Sequence, residues 1–404
     1  MKAIEIADGI FRVAANIGSK ELFEGIWPIP EGVSLNTYLV KGEKTALIDL
    51  VKDWDDALDQ VNEQLAAAGS SIESIDYLII NHMEPDHTGW LSEMKEKNPG
   101  LKIYCSKKAV PLVKAFYKIE ENVFAVGSGD SLDLGNGKVL VFEDIPNVHW
   151  PETMATFEKS TGILFPCDAF GSYGQVNEHV FDDQLTPEEE KFYEEETLRY
   201  YANIVSTFSG FVTKAIKKLS DLDIKVIAPS HGIIWRKNPS KIVEAYQKLA
   251  SYHNGPAEKE ITFIWSSMYG NTEKMVEPII KAVEAEGVKI NVHRVPQEHV
   301  SFALADAWKS AGLIFGMPTY EYRMFPPMAN VLDIFDRSHV KSRKVFRFGS
   351  YGWSGGAQKQ FQEMTEGLKW ECIEPVEWQG RADEETVEKA INQAKELARQ
   401  IKAL

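Results

Sequence analysis

A chain of 404 residues is long enough for two domains with separate cores, and its 44% hydrophobic and 26% charged residues are typical of a globular protein. The net charge of -16 argues against nucleic acid or an anionic membrane as a partner, because both require basic surfaces. The apolar runs fall short of the ~20 residues that span a membrane, and the N-terminus does not resemble a signal peptide. The three cysteines are widely spaced, so we expect no disulfide framework and a reducing, cytoplasmic location.

Strands dominate the structure predicted for the first half of the chain. The alternating run 4–14 predicts a strand, and runs 36–40 and 45–50 predict a hairpin around Gly42. Residues 55–68 have helical periodicity, and the apolar run Tyr77–Ile80 predicts a buried strand. Further elements are predicted, in chain order, as a strand at 101–105, a helix near 107–117, strands near 123 and at 139–143, a hairpin of 154–157 and 162–165, a long helical stretch at 187–219, a strand at 224–228 and a helix near 240–251.

The second half follows a segment at 252–257 that has the composition of a linker. Strand-like runs alternate with helical stretches there, and they lie at 261–265, 288–295, 311–316, 344–349 and 373–378. Five strands alternating with helices predict a parallel, doubly wound sheet. The charged tail 383–402 predicts an amphipathic helix. Cys105 and Cys167 each end a strand-like run and are expected to be small buried residues.

Potential metal ligands directly follow the buried strand Tyr77–Ile80, and four of them fall within six residues: His82, Glu84, Asp86 and His87. Burying such groups without compensation is costly. Three more each follow another strand-like run: His149, Asp168 and His231. Seven ligands are too many for one ion but suit two that share a bridging carboxylate, and nitrogen and oxygen donors suit iron or manganese while permitting zinc. The other histidines lack this context and are expected at the surface: His179, His253, His293, His299 and His339.

Three loops that follow strands in the second half predict a binding site for a phosphorylated, flat ligand. Their candidate binding residues are Ser266, Ser267, Met268, Tyr269, Gly270, Asn271, Thr272, Pro318, Thr319, Tyr320, Ser350, Tyr351, Gly352, Trp353 and Gly355. The first loop lies before a helix, where amides and the helix dipole favour an anion, although an ordinary capped helix is the alternative. In a doubly wound sheet all three loops meet at one edge, where Tyr320 and Trp353 could sandwich a ring. For Tyr322 and Tyr351, packing is the favoured role.

The motif His82-x-Glu84-x-Asp86-His87, with its three downstream ligands, resembles the metallo-β-lactamase-like domain of flavodiiron proteins, and the three loops resemble flavodoxin. The resemblance implies an α/β fold with an N-terminal αββα metallo-β-lactamase-like sandwich over residues 1–254. A C-terminal flavodoxin-like domain with a five-stranded parallel sheet would occupy 255–404. By resemblance one iron takes His82, Glu84 and His149. The other takes Asp86, His87 and His231, Asp168 bridges them, and FMN binds the second domain.

The resemblance further implies a reductase of dioxygen to water, of nitric oxide to nitrous oxide, or of both. Electrons would come from a separate donor, such as rubredoxin or a reduced deazaflavin coenzyme, because the chain ends after the flavodoxin-like half. In the family a head-to-tail homodimer, or a dimer of dimers, brings the FMN of one subunit beside the irons of another. Glu24 matches a substrate-pocket position where many relatives have histidine, and Tyr201 matches a family segment near the irons, with packing as its alternative role. Both are candidate catalytic residues.

Two other functions compete with this interpretation. The first is a binuclear hydrolase of the metallo-β-lactamase superfamily with a regulatory flavodoxin-like domain. Glu84 argues against it, because many zinc hydrolases have histidine there, whereas a carboxylate favours redox-active iron. The second is an FMN-binding electron carrier without metal turnover, which predicts that His82→Ala keeps all activity.

Overall fold

Two units divide the chain in the computed structural model, which describes residues 2–18, 20–255 and 258–404. Unit 1 comprises Met1–Tyr201 and Phe208–Gln247, and unit 2 comprises Ala202–Thr207 and Lys248–Leu404. The expected linker at 252–257 begins as a short 3-10 helix, Tyr252–Asn254. Its residues Pro256 and Ala257 lie outside the described residues, and the predicted boundary after residue 254 stays a prediction. Among the described residues, no helix combines the length and apolarity needed to cross a bilayer.

Unit 1 contains fourteen of the described strands, and most of them pair into two sheets. They are β1 (Ile4–Ala7), β2 (Ile10–Ile17), β3 (Leu22–Phe23), β4 (Trp27–Pro28), β5 (Val33–Lys41), β6 (Thr45–Ile48), β7 (Tyr77–Ile80), β8 (Lys102–Ser106), β9 (Val123–Val126), β10 (Ser131–Gly135), β11 (Lys138–Asp144), β12 (Met154–Glu158), β13 (Ile163–Phe165) and β14 (Val226–Ile227). The helices are α1 (Ala57–Ala67), α2 (Pro85–Thr88), α3 (Leu91–Lys97), α4 (Val110–Tyr117), α5 (Pro187–Tyr200), α6 (Ser209–Leu219) and α7 (Pro239–Ser251), the last of which runs into unit 2.

The two sheets of unit 1 pack against each other. The first has the order β1-β2-β5-β6-β7-β8-β9, and the second has the order β10-β11-β12-β13-β14. The ring of Tyr38 in the first sheet lies 4.9 Å from the ring of Phe165 in the second, centroid to centroid. The Tyr38 hydroxyl also donates a hydrogen bond of 2.6 Å to the carbonyl of Pro229. With the helices outside, this arrangement confirms the predicted αββα sandwich.

The long helical stretch predicted at 187–219 is interrupted in the structure. The helix α5 ends at Tyr200, a π-helical turn and a 3-10 turn cover 201–208, and α6 begins at Ser209. Each of these turns is short, so the residue pattern of the whole stretch still resembles that of a helix and does not reveal the break. The interruption changes the direction of the side chains on either side of it, which affects the candidate residue Tyr201.

Unit 2 has one central parallel sheet. Its elements are β15 (Glu258–Trp265), α8 (Val276–Ala285), β16 (Lys289–Arg294), α9 (Val300–Lys309), β17 (Ser310–Gly316), β18 (Thr319–Tyr320), β19 (Arg323–Met324), α10 (Pro326–Arg337), β20 (Lys344–Tyr351), α11 (Ala357–Thr365), β21 (Glu371–Cys372), β22 (Val376–Gln379) and α12 (Glu384–Lys402). The order is β16-β15-β17-β20, with β21 and β22 both paired to β20 in parallel. This is the 2-1-3-4-5 order of a flavodoxin-like sheet.

One strand of unit 2 differs from its prediction. The predicted strand at 373–378 is divided into β21 and β22, and Pro375 lies between them. Proline has no N–H to donate to a neighbouring strand, so it interrupts the ladder. The other four strands are confirmed, and residues of β15, α8 and α12 share one buried core that includes Phe263, Ile279 and Leu397.

His293 was expected at the surface, and that expectation is wrong. Its side chain is 8% exposed on β16, with Nδ1 2.7 Å from Glu298 and Nε2 2.9 Å from Asp306. Burial alone would lower the pKa of His293, but the hydrogen bonds to Asp306 and Glu298 outweigh it and raise the pKa to about 9. The protonated ring therefore forms ion pairs with both Glu298 and Asp306. Lys309 forms a second cationic contact, 3.0 Å from Asp306 and 3.4 Å from Glu260.

We expect the stability of the protein to depend on His293 in a pH-dependent way. A histidine whose pKa is raised on folding stabilises fully below its unfolded value of ~6.5, and the effect disappears as pH rises through about 9. His293→Gln should therefore lower the free energy of unfolding by about 2 kcal/mol near pH 7 and much less near pH 10. Urea denaturation at both pH values measures this. A deficit of equal size at both pH values would contradict it.

Candidate metal and flavin sites

The seven candidate metal ligands lie at one edge of the unit 1 sandwich because the strands before them end there. The strand β7 of the first sheet precedes the loop with His82, and β11, β13 and β14 of the second precede His149, Asp168 and His231. The strands β11 and β13 are both antiparallel to β12, and β14 is parallel to β13, so the three run in one direction. Their carboxyl ends therefore meet at the same edge.

The local sequence fixes the first ligand loop. Glu84 is the residue before α2, and Pro85 occupies the first turn of that helix. Proline suits that position because its fixed φ matches the helix and its missing N–H would be unpaired there anyway. The helix thus begins directly after Glu84, and the amide of His87 bonds to the Glu84 carbonyl at 2.9 Å. Asp86 and His87 are consequently held in a short, buried helical turn.

The first set of ligand atoms comprises His82, Glu84, His149 and one oxygen of Asp168, and its atoms lie within 4.8 Å of one another. The Nε2 atom of His82 is 3.3 Å from Glu84 Oε2 and 3.3 Å from Asp168 Oδ2. The Nε2 atom of His149 is 2.9 Å from Glu84 Oε2 and 3.3 Å from Asp168 Oδ2. Two imidazoles and two carboxylates thus face one point.

The second set comprises Asp86, His87 and His231. The Nε2 atoms of His87 and His231 lie 3.4 and 3.3 Å from Asp86 Oδ2. They lie 2.8 and 3.3 Å from Asp168 Oδ1, the other oxygen of the carboxylate that faces the first set. Asp168 therefore lies between the two sets with one oxygen directed to each, which is the geometry of a bridging carboxylate.

The cluster fits metal ions better than protons. Both carboxylate oxygens of Asp86 and Asp168, and the Nε2 atoms of His87 and His231, are buried and close to one another, yet among the described residues they form no hydrogen bond of good geometry. Buried polar atoms are normally paired. Burial opposes charge on the histidines, but the adjacent carboxylates outweigh it and raise the pKa of His82 to about 10 and that of His87 to about 9. Metal binding would therefore release protons from these histidines, because a metal ligand must be the neutral imidazole.

Two of the histidines are oriented by hydrogen bonds on their other nitrogen. His82 Nδ1 lies 3.0 Å from the Glu152 carboxylate, and the Met83 amide donates to the same oxygen at 3.0 Å. His231 Nδ1 lies 2.9 Å from the backbone carbonyl of Ser34. Because Nδ1 is engaged, Nε2 is the atom left for a metal. The sequence analysis missed Glu152, although it lies three residues after His149.

Cys167 is buried as expected, and it lies beside the cluster. Its sulfur belongs to a group with His87 and Asp168 that is compact enough to hold a metal. Burial and the negative charge of Asp49 raise the pKa of the Cys167 thiol well above its usual value. A thiol that keeps its proton is a poor metal ligand, so nitrogen and oxygen remain the donors.

Glu24 lies in the turn between β3 and β4, and its carboxylate accepts a hydrogen bond of 2.9 Å from the indole of Trp27. Desolvation and the negative charge of Glu84 raise the pKa of Glu24 to about 7. Because the residue as a whole is exposed, solvent moderates this effect. The structure thus places Glu24 at the rim of the cluster, where its charge and that of Glu84 influence each other.

Tyr201 does not direct its hydroxyl at the cluster. That hydroxyl is 2.8 Å from Ser209 Oγ, and the Tyr201 ring packs edge-on against Tyr246. The preceding residue, Tyr200, contacts His231 with a centroid distance of 5.6 Å. Burial and the charges of Asp168 and Asp86 raise the pKa of Tyr200, and its hydroxyl has no hydrogen-bond partner among the described residues. Tyr200, which sequence analysis passed over, is the tyrosine that faces the cluster.

The three loops of unit 2 meet at the carboxyl ends of β15, β17 and β20, as predicted. Thr272 of the first loop lies 3.0 Å from Ser350 of the third, hydroxyl to hydroxyl. The amide of Ala357 donates to Thr319 of the second loop at 3.3 Å. A 3-10 turn at Glu273–Met275 lies between the first loop and the helix α8.

These loops border open space. A Cβ added to Gly270, Gly352 or Gly355 would meet no heavy atom within 4 Å, so the backbone of these loops faces open space, and we call this region the cradle. Two aromatic side chains of these loops are exposed to solvent: Tyr320 is 42% exposed and Trp353 is 69% exposed. Tyr322, for which packing was favoured, is 62% exposed and contacts the Trp353 ring edge-on. Their apolar surface is available to a flat ligand.

Comparisons with known proteins agree with both halves of the chain. The family model described as ODP family beta lactamase matches residues 33–232, and the flavodoxin model matches residues 264–394. An anaerobic nitric oxide reductase flavorubredoxin from Vibrio vulnificus is 35% identical over 383 residues, which are 94% of this chain and 75% of the relative. A second flavorubredoxin of the same description, from Aeromonas hydrophila, is 34% identical over 92% of this chain and 74% of its own length.

Solved structures show the same architecture. The rubredoxin oxygen:oxidoreductase of Desulfovibrio gigas superposes with a TM-score of 0.92 at 27% identity, covering 100% of this chain and 99% of that one. The flavodiiron protein of Giardia intestinalis also gives 0.92, at 25% identity over 100% of this chain and 97% of its own. The similarity therefore extends over both units.

Proposed function

The chain belongs to the flavodiiron protein family, and from this premise we propose that it is an FMN- and iron-dependent reductase of small gases. FMN and two irons, when bound, would supply the redox chemistry by which electrons from a separate donor reduce dioxygen to water, nitric oxide to nitrous oxide, or both. The observation that carries this proposal is the convergence of two sets of nitrogen and oxygen donors on the two oxygens of Asp168. A bound FMN would exchange one or two electrons, and a pair of irons would supply a redox-active site for a diatomic substrate.

We propose the following ligand assignment for the two irons: His82, Glu84 and His149 for the first, Asp86, His87 and His231 for the second, and Asp168 between them. The two distance sets support it, because each set has two imidazole Nε2 atoms and one carboxylate of its own. Carboxylate in place of a third histidine favours iron that changes its oxidation state over zinc.

We propose that FMN binds to the cradle of unit 2. Its phosphate would meet the hydroxyls and amides of the loop from Ser266 to Thr272, which contains no lysine or arginine. The isoalloxazine ring would lie against the exposed rings of Tyr320 and Trp353. The free space at Gly270, Gly352 and Gly355 supports this position.

We propose that Tyr200, and not Tyr201, is the tyrosine that contacts the substrate. Its buried hydroxyl is unpaired beside Asp168 and Asp86, so it can donate a hydrogen bond to an oxygen atom of the bound gas. Glu24 can hold a proton near neutral pH at the rim of the same pocket and can deliver it to the reduced product. Both roles are proposals that rest on the position of these side chains.

We propose that the active form is a head-to-tail homodimer, alone or paired into a tetramer, and that the donor is a cytoplasmic redox partner such as rubredoxin or a reduced deazaflavin coenzyme. The exposed rings of Tyr320 and Trp353 at the flavin cradle support the homodimer, because a partner subunit would cover them. We expect specific activity to fall on dilution into monomers while both cofactors stay bound. Sedimentation and turnover measured on the same samples test this, and full activity from a verified monomer would contradict it.

Metal and flavin analysis of pure protein, followed by anaerobic reduction and exposure to each gas, tests the function. We expect two irons and one FMN for each chain and rapid reoxidation of the reduced protein by dioxygen, nitric oxide or both. A protein that contains zinc, hydrolyses thioesters or lactams and reoxidises slowly would instead be the binuclear hydrolase.

A further inference from the structure

Glu152 stands out as a buried carboxylate that contacts a proposed ligand without belonging to either ligand set. It is 2% exposed, and one oxygen, Oε1, accepts hydrogen bonds from both the Nδ1 atom of His82 and the amide of Met83, each at 3.0 Å. The hydroxyl of Ser106 donates to the Glu152 carbonyl at 2.6 Å and thereby fixes its backbone. The carboxylate is thus held in place from two directions.

The corresponding position in the second ligand set is neutral. The Nδ1 atom of His231 lies 2.9 Å from a backbone carbonyl, that of Ser34, and this group carries no charge. The buried Asp49 interacts electrostatically with both sets, more strongly with His87 of the second set than with His82 of the first. Each set otherwise has two imidazoles, one carboxylate and one oxygen of Asp168. Among the described residues, the sets therefore differ in the group that is hydrogen-bonded to a ligand Nδ1 atom: a carboxylate at His82 in the first set and a backbone carbonyl at His231 in the second.

We propose that Glu152 is a positioning residue that makes the two iron positions unequal: its carboxylate holds His82 with Nε2 toward the metal and makes that imidazole the stronger donor. This inference rests on the proposed di-iron function. A histidine whose N–H bonds to a carboxylate is more basic than one bonded to a carbonyl, and a stronger donor favours the oxidised state of iron. The iron at His82, Glu84 and His149 is consequently harder to reduce than the iron at Asp86, His87 and His231.

Three substitutions separate the effect of the shape of the Glu152 side chain from the effect of its charge. Glu152→Gln keeps an oxygen that can accept from His82 and Met83 but removes the negative charge. Glu152→Ala removes both, and Glu152→Asp keeps the charge with a shorter reach. We expect Glu152→Ala to weaken iron retention against a chelator by about 10- to 100-fold. Glu152→Gln should retain iron better than Glu152→Ala, while Glu152→Asp should resemble the native protein most closely.

The decisive measurement is a redox titration of the full-length, iron-loaded protein followed by Mössbauer spectroscopy. In the native protein we expect one iron to be reduced before the other. In Glu152→Gln we expect the equilibrium of the harder-to-reduce iron to move about tenfold toward the reduced state, ~59 mV for one electron, with the other iron little changed. Glu143→Gln is the matched control, because its carboxylate pairs with Lys218 at 3.1 Å in the same unit, away from the ligands. It should leave both iron equilibria unchanged.

Unchanged iron equilibria in Glu152→Gln, together with native iron retention in Glu152→Ala, would overturn the inference while the di-iron function stood. Native protein without two irons would instead overturn the proposed function. FMN content and melting temperature show whether each variant is folded. If Glu152→Ala fails to fold, the comparison of Glu152→Gln with Glu143→Gln decides, because both keep the shape of the native side chain.

Discussion

Asp168→Ala is expected to lose both irons and gas reduction while keeping FMN. Each oxygen of Asp168 faces two imidazole nitrogens, at 2.8 to 3.3 Å, so its removal takes one donor from both ligand sets at once. No other proposed ligand is shared in this way. Removal of a single-set ligand, such as His231, should affect one iron more than the other.

The expected loss of turnover is at least roughly 10³-fold, since a metal site supplies several kcal/mol of transition-state stabilisation and each ~1.4 kcal/mol is tenfold in rate. Iron content by plasma emission, FMN content by absorbance and gas consumption would be measured on one preparation. Asp223→Ala is a suitable control, because Asp223 is an 87% exposed aspartate of the same unit that forms only a loose ion pair with Lys225. A variant Asp168→Ala with two irons and native turnover would show that the two sets do not share this carboxylate.

The convergence of the seven candidate ligands could be predicted because the four segments that carry them follow apolar strands, and strand ends are where a sheet edge collects side chains. The same argument placed the flavin loops after β15, β17 and β20. The metal-site prediction uses the hydrophobic pattern and the ligand types that follow each run, and the loop prediction uses the pattern and the direction of parallel strands. Neither prediction requires knowledge of the contacts between individual side chains.

Contacts between distant segments could not be predicted in this way. Glu152 and His82 are 70 residues apart, and nothing in either segment indicates that the carboxylate of one accepts a hydrogen bond from the imidazole of the other. Tyr200 and Tyr201 are adjacent, and neighbouring side chains of a helix point about 100° apart. The choice between them depends on how α5 ends in a π-helical turn, which the sequence pattern does not show. The burial of His293 could not be predicted either, because its two acidic partners come from the loop and the helix that follow its strand.

Gly349→Ala is expected to disrupt the flavin cradle and to leave the metal site intact. A Cβ added at Gly349 would lie 1.7 Å from the carbonyl oxygen of Met317 and 2.6 Å from its carbonyl carbon. Both atoms belong to the backbone, which cannot rotate away as a side chain could. Gly349 directly precedes Ser350, and Met317 directly precedes Pro318, so relief of the clash must separate two of the three loops proposed to hold FMN.

Overpacking of this kind typically costs about 1–3 kcal/mol, and a clash with backbone belongs at the upper end of that range or beyond it. If half of that strain falls on the cradle, the affinity for FMN drops by about tenfold, since ~1.4 kcal/mol is a factor of ten. Gly367→Ala is the control, because the nearest atom to its added Cβ is a side-chain oxygen of Asp336 at 3.9 Å. FMN titration of the metal-loaded apoflavoprotein measures the effect for both variants. We expect weak FMN binding with native iron content in Gly349→Ala, because its ligand sets lie wholly in unit 1. Native FMN affinity in that variant would mean that the two loops are free to move apart without affecting the flavin.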